Sequence, residues 1–83
     1  MNPFDTIDRL YKIHQLILHE NTGTPDEFAE QFHLNRRQIY NIINQLKDYG
    51  ADIRFSRTKR TFYYVSEFKI SINTLHLLSD RNK

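Results

Sequence analysis

This chain of 83 residues has no cysteine, two glycines, two prolines and no long apolar run. Without cysteine it has no disulfide staple, no thiolate nucleophile and no Cys-based zinc site. Gly23 and Gly50 stand far apart and do not form the Gly-rich loop that cradles a phosphate. The longest apolar stretches, Leu16-Ile17-Leu18 and Phe62-Tyr63-Tyr64-Val65, fall far short of the ~20 residues that span a bilayer. Met1-Asn2-Pro3-Phe4-Asp5 lacks the basic and then apolar pattern of a secretory signal, so a soluble cytoplasmic protein is the expectation. A chain of this length makes one domain and buries only about 60% of its unfolded surface. That leaves one small core and little room for a deep catalytic cleft.

Residues with site chemistry are equally sparse. His14 and His19 are five apart and do not share a helix face, His33 and His76 are remote, and no carboxylate completes a metal-ligand spacing. His14 falls on an apolar stripe and reads as a core-edge residue. Ser56, Ser66, Ser71 and Ser79 lack a Gly-rich elbow or an obvious base. No enzyme, no metal and no cofactor are expected.

Charge is also scarce in sum, since 12 Lys and Arg oppose 10 Asp and Glu for a net of +2. The sum hides an asymmetry. Residues 1–32 carry two basic groups against six acidic ones, net −4, and residues 33–83 carry ten against four, net +6. A basic half of this kind points to a polyanion partner.

Three helices are expected first. Phe4, Ile7, Leu10, Tyr11, His14, Ile17 and Leu18 recur every three or four residues, predicting a helix over 3–20 with one buried stripe, which Ile13 and Leu16 widen. Thr24-Pro25-Asp26-Glu27 supplies a cap, a first-turn proline and a capping-box glutamate for a short helix over 25–32, with Phe28, Ala29 and Phe32 inward. Asn35 and Gln38 form a second capping box. Ile39, Ile42, Ile43 and Leu46 make the buried stripe of the third helix, and Gly50 suits its left-handed C-terminal position. Two helices separated by three residues suggest a helix-turn-helix.

Beyond Gly50 the period changes from 3.6 to 2. Residues 51–56 and 61–65 are rich in β-branched and aromatic residues and flank Arg57-Thr58-Lys59-Arg60, so they predict a hairpin with a basic tip. Phe68, Ile70 and Ile72 alternate again, which allows a third short strand. The expected domain therefore occupies residues 1–72, with a tail over 73–83 in which Leu75, Leu77 and Leu78 are the candidate dimer surface.

This order of helix, helix-turn-helix and basic hairpin resembles a winged helix-turn-helix. It is similar to the N-terminal DNA-binding domains of bacterial regulators of the DeoR, WYL-domain and biotin operon repressor types. Ala29 sits where such units place a small residue for close helix approach, and Ile39 and Ile42 follow at ten and thirteen. Leu34-Asn35-Arg36-Arg37-Gln38-Ile39-Tyr40 is similar to their turn and recognition-helix start, and Gly50-Ala51-Asp52-Ile53 with Arg60-Thr61-Phe62-Tyr63-Tyr64 to their wing. The resemblance covers residues 4–66. One position departs: the turn residue four after Ala29, usually Gly, is His33. That points to a different turn geometry, which His tolerates better than a β-branched residue would.

The resemblance implies an α+β fold, double-stranded DNA as partner and transcription regulation, with the protein on the nucleoid when bound. Arg bridges guanine O6 and N7, while Asn and Gln bridge adenine N6 and N7. The expected major-groove face is therefore Arg36, Arg37, Gln38, Tyr40, Asn41 and Asn44, and the expected backbone contacts are Arg57, Lys59 and Arg60 of the wing, with Arg54 beside them. A solvated polar face is the plain alternative for the helix, but no acid occurs over residues 35–47, where an ordinary solvated face mixes signs. For the hairpin the alternative is an edge kept soluble by charge. A homodimer on a palindromic site fits the small contact area of one module. The competing function is a winged-helix docking module that binds protein and not DNA, with RNA binding third.

Overall fold

A computed structural model describes residues 3–71 together with Asn73 and Leu77. The order is α1 (Pro3–Leu18), α2 (Pro25–Gln31), α3 (Arg36–Asp48), β1 (Ile53–Ser56) and β2 (Thr61–Tyr64). This is the expected α+β arrangement, three helices followed by an antiparallel hairpin. Its register pairs Ile53 with Tyr64 and Ser56 with Thr61.

Both expected capping boxes form. The Thr24 hydroxyl accepts from the Glu27 amide at 3.3 Å while Glu27 Oε1 accepts from the Thr24 amide at 2.9 Å. Asn35 Oδ1 and Gln38 Oε1 exchange the same pair of bonds at 2.8 and 2.9 Å. The helices all end in one way. The residue after the cap turns left-handed, and the amides there bond back five to two and six to one: Asn21 to Leu16 at 2.9 Å, Leu34 to Ala29 at 3.0 Å and Ala51 to Leu46 at 3.2 Å. The left-handed residues are Glu20 (φ 55°), His33 (φ 55°) and Gly50 (φ 104°). His33 thus adopts the conformation that favours glycine, and the turn expected to differ keeps its geometry at a cost in backbone strain.

The core gathers Leu10, Ile13 and Ile17 of α1, Phe28 and Ala29 of α2, the four aliphatics Ile39, Ile42, Ile43 and Leu46 of α3, and Ala51, Ile53 and Phe62 of the hairpin region. Each fully buried aliphatic contributes about 1.5–3 kcal/mol of transfer free energy, so the α3 stripe is the largest single contributor. The buried face of α1 differs from the expected stripe. Ile13 is fully buried, whereas Tyr11 and Leu18 are 48% and 47% exposed. The helix is rotated so that Leu10, Ile13 and Ile17 enter the common core while His14 meets Tyr64 of β2.

No third strand forms over the described part of residues 66–71. Phe68 and Ile70 pack their side chains on the core without pairing their backbone, and the rest of that expectation, Ile72, lies outside the described residues. Among the described residues the sheet has two strands.

Candidate nucleic-acid interface

Advancing 100° per residue along α3, Arg37, Asn41 and Asn44 stand opposite the buried stripe. Arg36 and Tyr40 lie on one flank of that face and Gln38 on the other. All six side chains are exposed, so α3 brings the expected helix residues onto one solvent-facing surface. Asp48 closes its far end.

The six are not equivalent. Gln38 Oε1 is committed to the Asn35 amide in the capping box, which leaves its amide hydrogens but not its carbonyl for an outside partner. A bidentate grip on adenine needs both. Tyr40 is partly covered, its ring meeting Phe62 of β2 edge-on at 5.9 Å between centroids, and the Arg36 guanidinium carbon lies 5.8 Å over the Tyr40 ring. No ion pair ties down Arg36 or Arg37 among the described residues.

The wing tip, residues 57–60, is held in a tight loop. The Ser56 hydroxyl accepts from the Lys59 amide at 3.1 Å, and Arg60 is left-handed at φ 56°. Its cations are exposed, but two of them face the acidic half of the chain. Lys59 Nζ lies 3.2 Å from Glu20 Oε1, and an Arg60 guanidinium nitrogen lies 4.0 Å from Glu27 Oε1. The Thr24 amide, then the Thr24 hydroxyl, holds the Glu27 carboxyl below the usual carboxylate range, so the anion facing Arg60 stays charged. Arg54 pairs with Asp52 at 3.5 Å. Arg57 makes no ion pair among the described residues.

Two junctions fix the wing to the helices, and neither is readable from local sequence. At the first, Thr22 in the loop after α1 docks on the outer edge of β2. The Phe62 amide donates to Thr22 Oγ1 at 2.9 Å and the Thr22 amide donates to Thr61 Oγ1 at 3.1 Å. The two hydroxyl oxygens lie 3.1 Å apart, and the Thr22 hydroxyl also donates to the Gly23 carbonyl at 2.9 Å. Both threonines are buried, at 0% and 1% exposure. They do by side chain what a third strand would do by backbone. The sequence signal for this is faint: one β-branched residue in a loop, paired 39 positions away.

At the second junction, His14 Nδ1 and the Tyr64 hydroxyl share a 2.7 Å hydrogen bond, with Phe68 closing over both rings. Burial, and then the nearby charge of His19, pulls the His14 pKa below its usual 6.5, and burial pushes the Tyr64 phenol far up. Both groups are therefore neutral near pH 7. His14 is the core-edge residue its position implied, and Tyr64 is the inward member of the Tyr63-Tyr64 pair.

A helix-turn-helix whose second helix exposes a polar, acid-free face over residues 35–47, followed by a hairpin with a basic tip, matches DNA-binding modules in order and geometry. The sequence model of a family described as an HTH domain matches residues 9–64. The chain belongs to this helix-turn-helix domain family. The family occurs in regulators of the DeoR, WYL and biotin operon repressor types, as the residues around Ala29 and Leu34 implied. No curated protein and no solved structure matches the chain. The match spans the helix-turn-helix and the whole hairpin, so membership supports DNA binding in transcription regulation. No helix among the described residues is long and apolar enough to cross a membrane.

Proposed function

We propose that this helix-turn-helix protein binds double-stranded DNA in a sequence-dependent way and regulates transcription, with α3 in the major groove. The observation that carries this is the α3 surface: Arg37, Asn41 and Asn44 project away from the core with Arg36 beside them, and these are the side chains that bridge guanine and adenine edges. Gln38 contributes its amide hydrogens from within the cap. Arg57, Lys59 and Arg60 grip the phosphate backbone, where two of them exchange a glutamate for a phosphate. A homodimer on a palindromic site supplies the contact area that one module lacks. Leu77, 51% exposed, is the described residue of the tail assigned to that dimer, and Leu75 and Leu78 lie outside the described residues.

A salt-titrated mobility shift tests this. Duplex binding is expected to weaken with salt on a log–log slope near −0.9 per phosphate contact, and the Arg36→Ala/Arg37→Ala double variant weakens it at every salt concentration. Single-stranded DNA and RNA are expected to compete poorly. If the wild type binds no duplex at low salt, the DNA assignment is wrong.

A further inference from the structure

Tyr40 stands between the recognition helix and the wing, and it is neither wholly core nor wholly surface, with 36% of it exposed. One edge contact ties it to Phe62 at 5.9 Å. Phe62 is itself locked against Phe28 at 5.8 Å and Phe55 at 5.1 Å. Over the Tyr40 ring lies the Arg36 guanidinium, its carbon 5.8 Å from the centroid, within the range of a cation–π contact. A continuous chain of ring contacts thus runs from the buried centre of the domain to one surface cation. Arg37, one residue on, has no such support among the described residues.

We infer that Tyr40 is a positioning residue that holds Arg36 in a fixed direction on the wing side of α3, making Arg36 the residue that discriminates a guanine at that end of the DNA site. This rests on the DNA-binding function proposed above. In the inferred arrangement the guanidinium meets the ring through its face, which keeps its N–H edge free and leaves the fork available for the parallel bonds to guanine O6 and N7. A fork already held in place loses less freedom on binding than a free one. The Tyr40 ring does this, and its hydroxyl is not needed.

The test uses the full chain, duplexes recovered from a random pool, and the same duplexes with each guanine in turn replaced by adenine. One guanine is expected to give the wild type about a tenfold preference, the size of one good bidentate contact. Arg36→Ala and Tyr40→Leu each abolish that preference, Tyr40→Phe retains it, and Arg36→Ala/Tyr40→Leu is no worse than Arg36→Ala. Without DNA, ring-current shifts move the Arg36 methylene protons upfield in the wild type and Tyr40→Phe, but not in Tyr40→Leu. A Tyr40→Leu protein that keeps the preference, or additive effects of the two substitutions, overturns the assignment. Arg36 protons without an upfield shift also overturn it. Absence of any duplex binding by a wild type whose shift is present overturns the DNA function and the guanine assignment together, leaving the stack as a packing contact.

Discussion

Replacing Thr22 with Val keeps the shape of the side chain and removes its hydroxyl. The Phe62 amide then loses its 2.9 Å acceptor at a site where Thr22 and Thr61 are 0% and 1% exposed, so water cannot replace it. A buried donor left unsatisfied costs about 1–3 kcal/mol. The Thr61 hydroxyl keeps its bonds to the Phe62 carbonyl and the Thr22 amide, and the part-buried Gly23 carbonyl that loses its donor is open to solvent, so the buried Phe62 amide sets the scale, about 2 kcal/mol. For a domain of this size each 1 kcal/mol moves the melting temperature by about 4–8 °C, so Thr22→Val is expected to melt about 8–16 °C below the wild type. Thr22→Ser keeps every hydrogen bond and loses one buried methyl, about 0.8 kcal/mol, and melts between the two. Circular dichroism melts give these values, and amide exchange at Phe62 locates the damage at the outer edge of β2. If Thr22→Val melts within about 3 °C of the wild type, or Thr22→Ser is as damaging as Thr22→Val, the threonine pair is not what anchors the wing.

Three further outcomes follow from the geometry. His33→Gly relieves a left-handed residue at φ 55° and is expected to stabilise the domain by about 1 kcal/mol, a rise of a few degrees in the same melts; an unchanged or lower melting temperature shows that the turn carries no strain. Glu20→Gln/Glu27→Gln frees Lys59 and Arg60 from their carboxylates, while the side-chain carbonyl introduced at position 27 still accepts from the Thr24 amide and preserves the capping box. Duplex affinity at low salt is expected to rise about two- to fivefold, and an unchanged affinity places the wing away from the phosphates. His14 is held below its unfolded 6.5, so the unfolded chain takes up the proton first on acidification. Its contribution to stability is full above 6.5 and is lost as pH falls through the folded value. Melting temperatures from about pH 7.5 down to about 5 are expected to drop in the wild type and to fall less in His14→Phe. Equal drops in the two proteins would remove His14 as the cause.

Local signals in the sequence settle the helices and where they stop. The two capping boxes depend on residues three apart, Thr24 with Glu27 and Asn35 with Gln38, and the α3 stripe repeats within one helix, so neighbours along the chain contain the needed information. The same locality makes the exposed α3 surface legible: once Ile39, Ile42, Ile43 and Leu46 are inward, Arg37, Asn41 and Asn44 must be outward. Family resemblance around Ala29 and Leu34 added the expectation that the hairpin is a wing.

Tertiary structure decided whatever depends on contacts distant in sequence. Which side of α1 is buried was set by the shared core and the packing against β2, so Ile13 went in and Tyr11 came out. Phe68 and Ile70 alternate like a strand, yet the outer edge of β2 was already occupied by Thr22. The charge asymmetry between the two halves also changed meaning. In the folded chain Glu20 and Glu27 face Lys59 and Arg60, so the acidic half neutralises part of the wing, while Arg36 and Arg37 have no ion pair among the described residues. Position along the chain records how much charge each half carries, but only folding sets the distances over which those charges act.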